Sequence, residues 1–181
     1  MNFVNQPQII LASLLTGLSV FSPFSENYIF SISPVSASET QQIIAQTTTI
    51  TETEIKQIIA ELNEAANNKN VDGISKYFSP EATVEISLQS ALGSQNFAFN
   101  RDEYLFYLQE SFNNTENYQQ SYENLVITIS PDGKTATATL NVSETVEMEE
   151  LNISGTSQET ILFQIINDRI LITSVTGKSQ L

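Results

Sequence analysis

The sequence predicts a single α+β domain, with an antiparallel sheet of about six strands and three helices packed on one of its faces. Three observations carry this. Ile55, Ile58, Ile59 and Leu62 recur at helical spacing. Thr135 to Met148 alternates polar and apolar side chains almost without a break, as a half-buried strand does. The element order is helix, helix, strand, strand, helix and then a run of strands joined by turns, which builds hairpins rather than parallel crossovers.

The elements follow in chain order. Ile9 to Phe24 (IILASLLTGLSVFSPF) carries no charge and is interrupted by Gly17 and Pro23. It is short for a membrane span and reads as the apolar core of a secretory signal. Small residues follow at Val35-Ser36-Ala37 and again at Ile43-Ile44-Ala45. The expectation is export to a periplasm or the exterior, with cleavage after Ala37 or Ala45 and no stable membrane span afterwards. The first ten residues hold no Lys or Arg and the stretch Phe24–Ala37 is long. An uncleaved anchor and a spurious apolar tail are therefore the other readings. Residues 1–37 form the signal, 38–51 a Thr/Gln/Ser-rich tether, and 52–181 the folded domain.

Thr51 and Glu54 have the spacing of a capping box and open the first helix, which Asn67-Asn68-Lys69-Asn70 ends. Val71 starts a short second helix that runs to Phe78, where Ser79-Pro80 breaks it. Thr83 to Leu88 is a strand with Val84, Ile86 and Leu88 on one face. Gln95 to Asn100 is another, with Phe97 and Phe99 on one side. Asn100 and Glu103 cap a third helix carrying Tyr104, Leu105, Leu108 and Phe112. Strands follow over Tyr118–Ser130, Thr135–Met148, Ile153–Asn167 and Arg169–Thr176, the first two joined by a Pro131-Asp132-Gly133-Lys134 turn.

Composition removes whole classes of chemistry. The 181 residues include 7 Lys and Arg against 21 Asp and Glu, a net charge of −14, which disfavours phosphate backbones and hence nucleic acid. Cysteine and histidine are both absent. That excludes disulfides, thiol nucleophiles, Ser-His-Asp triads and Cys- or His-ligated metals. No Gly-rich phosphate loop or calcium loop occurs, so no cofactor and no metal is expected. Acid–base work falls to Asp, Glu, Tyr or Lys.

Leu62 to Leu88, above all Asn70-Val71-Asp72-Gly73-Ile74 and Ala82-Thr83-Val84-Glu85, resembles the nuclear transport factor 2-like superfamily, which includes the ketosteroid isomerases and SnoaL-like cyclases. The resemblance spans about residues 52 to 177. It implies a cystatin-like cone, a curved antiparallel sheet wrapped round the helices. The family uses that cone as an enzyme pocket, a ligand pocket or an inert dimerising scaffold. The resemblance places the isomerases' catalytic carboxylate at Ile86, their phenol donor at Leu62 and their protonated Asp at Ile161. Aliphatic side chains cannot abstract a proton or stabilise an enolate oxygen, so isomerase catalysis is not expected. The expectation is a non-catalytic exported domain that binds a small apolar ligand or mediates protein association, with a homodimer as one partner form. Leu62, Ile86, Phe97, Phe99, Tyr104 and Ile161 are the expected lining, unless the cone is filled by its own side chains.

Two acids interrupt the apolar faces. Glu144 falls among Ala136, Ala138, Leu140, Val142 and Val146, and Glu159 among Ile161, Phe163 and Ile165. A four-residue hairpin loop places Glu144 opposite Glu159; a two-residue loop places it opposite Ser157. The expectation is that both acids are solvated at the open end of the sheet, or that a bulge turns Glu144 outward. In a dry cone they would form an acid–base pair, the basis of an alternative isomerase- or dehydratase-like reading.

Overall fold

The computed structural model describes residues 9–10, 19–20, 49–90, 93–148 and 151–180. The signal segment 1–37 and both cleavage positions lie outside the described residues, except that Ile9–Ile10 and Ser19–Val20 pair as a short antiparallel ribbon. No helix among the described residues is long and apolar enough to cross a membrane.

Helix α1 spans Glu52–Asn67. Its capping box is formed: the Glu54 N–H donates to Thr51 Oγ1 at 3.3 Å, and the Thr51 N–H donates to Glu54 Oε2 at 2.9 Å. Its buried stripe is Ile55, Ile58, Ile59, Leu62, Ala65 and Ala66. Helix α2 is only Val71–Ser75, capped by Asn70 Oδ1, which accepts from the Gly73 N–H at 2.9 Å. Space at Gly73 is tight: a Cβ there would lie 2.9 Å from Asn70 Nδ2 and 3.0 Å from Ala65 Cβ, so the Asn70 cap would have to shift.

The sheet comprises β1 (Phe78–Ser90), β2 (Gly93–Asn100), β3 (Asn117–Ile129), β4 (Thr135–Met148), β5 (Leu151–Ile166) and β6 (Arg169–Gln180). Helix α3 (Arg101–Asn113) joins β2 to β3 and carries the expected Asn100–Glu103 capping box. The strand order is β2-β1-β6-β5-β4-β3. Every neighbouring pair is antiparallel except β1 with β6, which run parallel. The sheet is therefore mixed rather than purely antiparallel. The helix from Val71 also ends before Phe78, which already pairs with Ile172. Ser79-Pro80 does not stop a helix there. It lies in the register shift between Phe78 and Thr83, where the proline's missing N–H interrupts no ladder bond.

One sheet face is the core. Val84, Ile86, Ala138, Leu140, Val142, Ile161, Phe163, Ile172 and Val175 pack on it against the buried stripes of α1 and α3. Removing that apolar area from water is the main stabilising term. Ile50, at the end of the predicted tether, is also buried, and its N–H donates to Gly133 O at 2.8 Å. At the β3 edge the Asn67 side chain faces the Gln120 backbone: the Gln120 N–H donates to Asn67 Oδ1 at 2.7 Å, and Asn67 Nδ2 donates to Gln120 O at 3.0 Å.

Gly133 has φ +68°, and a Cβ there would lie 3.0 Å from the Thr49 side chain. Gly133→Ala is expected to cost about 1–2 kcal/mol through left-handed backbone strain alone. Urea denaturation checks this, and an unchanged midpoint would contradict the turn geometry.

Candidate functional site

The concave face carries one polar cluster. Residues Leu140, Val142, Glu144 and Val146 of β4 stand opposite Glu159, Ser157, Gly155 and Ile153 of β5. The register matches neither predicted hairpin: the connection is Glu149-Glu150, so Glu144 pairs with Gly155, two residues short of Ser157 and four short of Glu159. These two loop residues lie outside the described set. Glu144 therefore opposes neither Glu159 nor Ser157. Both acids nevertheless point inward and are sealed: Glu144 exposes 4% of its surface and Glu159 none. Solvation at an open end, the expectation for both, is thus overturned. No bulge displaces Glu144, since β4 and β5 pair without a register shift.

Helix α3 covers the cluster with Tyr104, and β3 contributes Tyr118. The Tyr118 hydroxyl lies 2.8 Å from Glu144 Oε2 and 3.1 Å from Gln120 Oε1. A phenol has one proton to give. Tyr118 therefore donates that proton to Glu144 Oε2, the shorter contact, and Gln120 Oε1 competes for it. Gln120 Nε2 donates to Asn63 Oδ1 on α1 at 3.3 Å. Ser157 Oγ donates to Glu159 Oε1 at 3.2 Å. Glu159 Oε2 and the neighbouring Ser179 Oγ are buried without a hydrogen-bond partner.

Burial governs the titration of this cluster. It pushes the Glu159 carboxyl up to about 8, against a small opposing effect of the Ser157 bond. Burial also holds Glu144 well above the ordinary carboxylate range, with the nearby Glu159 adding to the rise against the Tyr118 bond. Tyr104 and Tyr118 are raised by burial first and by the two acids second. No ion pair reaches either acid among the described residues. No group of three or more metal-ligating side chains occurs among them either.

The residues expected to line a ligand cavity are packed. Tyr104 and Ile161 expose none of their surface and Ile86 2%, so they border no void that admits water. Phe97 and Phe99 are half-buried and stacked on each other, with centroids 6.5 Å apart; Phe99 also meets Tyr107 at 5.3 Å. Leu62 borders a small cleft with Asn63, Gln120, Tyr122 and Leu140, whose volume of about 10 Å³ holds about one water. A larger concavity, about 630 Å³, lies on the other side, where Ser87, Asn96, Asn141, Gln158 and Lys178 line a trough on the outer face of the sheet. Its signal in the sequence is the polar half of each strand's alternation, which reads as ordinary solvated surface until the register sets those residues in one row.

Two carboxyls that are neutral in the fold but ionise when unfolded make the protein an acid-stable one. For Glu159 the folded value is raised from 4.5 to about 8. Its contribution is complete below about pH 4.5 and is lost as pH rises toward 8, a loss on the order of 5 kcal/mol. Thermal melts followed by circular dichroism should show stability falling over that window. Glu159→Gln should remove much of the slope, and Glu144→Gln/Glu159→Gln nearly all of it. A flat wild-type profile would mean that the acids are solvated.

Residues 47–164 match the family profile described as a SnoaL-like domain. Among curated proteins none matches the sequence. Solved structures share the fold. A candidate scytalone dehydratase from Novosphingobium aromaticivorans superposes with a TM-score of 0.59 at 12% identity, over 70% of this chain and 82% of that one. A candidate dehydratase of the nuclear transport factor 2-like family from Streptomyces avermitilis gives 0.56 at 15% identity, over 71% and 95%. The hexachlorocyclohexane dehydrochlorinase LinA-type3 of Novosphingobium barchaimii gives 0.55 at 9% identity, over 70% and 84%. At such identities the likeness is one of fold alone, and with the profile match it shows that the chain belongs to the SnoaL-like domain family, with the nuclear transport factor 2-like fold.

Proposed function

We propose that this chain is an exported, non-catalytic member of its family, whose cone is a filled core and whose binding surface is the outer face of the sheet. One observation carries the reading: the inward side chains at the cone's centre are sealed, while the open concavity lies on the opposite face. The residue types agree. Leu62, Ile86 and Ile161 stand where the resembled isomerases keep their donor, base and protonated acid. Losing even one such group costs orders of magnitude in rate. Self-association through the same face, giving a homodimer, is one form this binding takes.

A second reading rests on Glu159 Oε2, a buried carboxyl oxygen with no partner. Buried acids with raised pKa values cluster at catalytic sites. Three structural neighbours bear the names of eliminating enzymes, two dehydratases and a dehydrochlorinase. In this reading Glu159 transfers a proton in an elimination or isomerisation once the cone has opened.

A turnover assay with an unsaturated ketosteroid separates the two. The expected result is no isomerisation above background. Turnover abolished by Glu159→Gln would establish the second reading, and turnover that survives it would move catalysis to the tyrosines. Export has its own check. Mass spectrometry of periplasmic or secreted material should give Ser38 or Gln46 as the first residue, and an intact Met1 or Asn2 terminus would refute cleavage.

A further inference from the structure

We propose that the outer trough is a binding site for a neutral, polyhydroxylated ligand, a short carbohydrate segment laid across the strands. This rests on the reading of the chain as a binding domain and adds the chemistry of what it binds.

The trough is organised by strand pairing. Asn96, Ser87, Lys178, Gln158, Asn141 and Glu123 form one continuous cross-strand row, each paired with the next, with one residue from every strand of the sheet. All six line the trough. Each carries a hydrogen-bonding side chain, and the three amides offer donors and an acceptor apiece. Successive rungs are about 4.8 Å apart, close to the length of one sugar ring, so neighbouring rungs meet neighbouring hydroxyl groups. The volume of about 630 Å³ suits a small oligosaccharide rather than a single water-sized guest.

Other ligand classes fit poorly. The row holds one cation, Lys178, and one acid, Glu123, three rungs away, and the chain's net charge of −14 repels anions. Among the described residues the one apolar residue lining the trough, Leu88, is buried with the core and offers an apolar ligand no surface. No aromatic side chain among the described residues lines the trough, so they give a nucleobase no platform to stack on. An extended peptide adds along a strand edge, whereas this row crosses the face. A neutral polyol asks for dense, wet, uncharged hydrogen bonding, which is what the row supplies. Without an aromatic platform, affinity is weak, near the millimolar range.

The test is a titration of the ¹⁵N-labelled full chain with maltotriose, cellotriose and tri-N-acetylchitotriose, read by amide chemical shifts. At least one trisaccharide should shift Asn141, Gln158 and Lys178 and leave Tyr104 and Glu159 unmoved. Asn141→Ala/Gln158→Ala should weaken that binding about tenfold. Its melting temperature should stay near wild type, since neither side chain belongs to the core. If no trisaccharide moves a trough amide, the ligand class is wrong. If the same amides then broaden with protein concentration, the face is a self-association surface and the reading as a binding domain stands. Shifts confined to Tyr104, Glu144 and Glu159 would overturn both.

Discussion

The parallel pairing of β1 with β6 joins across the sheet two halves of the chain that are linked in sequence by the short turn between α3 and β3. One half is α1, α2 and the β1–β2 hairpin with α3; the other is the β3–β6 meander. Phe78 meets Ile172, and Thr83 to Gln89 meets Ser174 to Gln180. Parallel pairs require a long crossover, and here nearly the whole domain serves as one. The site depends on it. Tyr104 belongs to the first half, while Glu144 and Glu159 belong to the second. Only with β1 and β6 in register does α3 close over the acids, and only then does Ile86 face Gly177, the residue paired with Glu159.

Closure of the cone and the state of its acids are one problem. An ionised carboxylate without a partner is too costly to bury, so the closed cone holds Glu144 and Glu159 as neutral acids. Tyr118, Gln120 and Ser157 then use the polar atoms that remain, leaving Glu159 Oε2 and Ser179 Oγ unmatched. A well-packed apolar pair in their place would be the more stable choice. Surface acids behave oppositely. Glu61 accepts from Tyr77, from Gln57 Nε2 at 2.9 Å and from Lys76 Nζ at 3.0 Å, which hold its carboxyl down at about 2. What Glu61 contributes is therefore lost only as pH falls below about 4.5 toward 2, outside the window set by the buried acids.

Most of the architecture was legible from local pattern. The alternation over Thr135–Met148 matches β4 residue for residue, and the helical stripe on α1 is the buried one. The β4–β5 register is not legible locally, because Glu149-Glu150 has none of the glycine or asparagine that marks a two-residue turn. At Phe78 the breaker Ser79-Pro80 reads as a helix end, whereas the strand partner Ile172 is distant in sequence. The burial of Glu144 and Glu159 is likewise set by distant residues. Their positions on the apolar face were visible in the sequence, but the α3 residues that seal them come from another part of the chain. The trough was hidden too, since it exists only once every strand is in register.

The Asn67 contact with Gln120 has a consequence for solubility. β3 is an edge strand, and edge strands present unpaired N–H and C=O groups to any passing chain. At Gln120 both groups are taken by the Asn67 amide, which occupies the place a neighbouring strand would fill. A few residues on, the register shift between Glu123 and Val126, with Asn124 at φ +56°, breaks the straight run of that edge. One rim of the sheet is thus closed to edge-to-edge aggregation by a single side chain and a kink. The opposite rim, β2, is largely exposed from Gly93 to Asn96, so growth of the sheet by strand addition would be directed to that side.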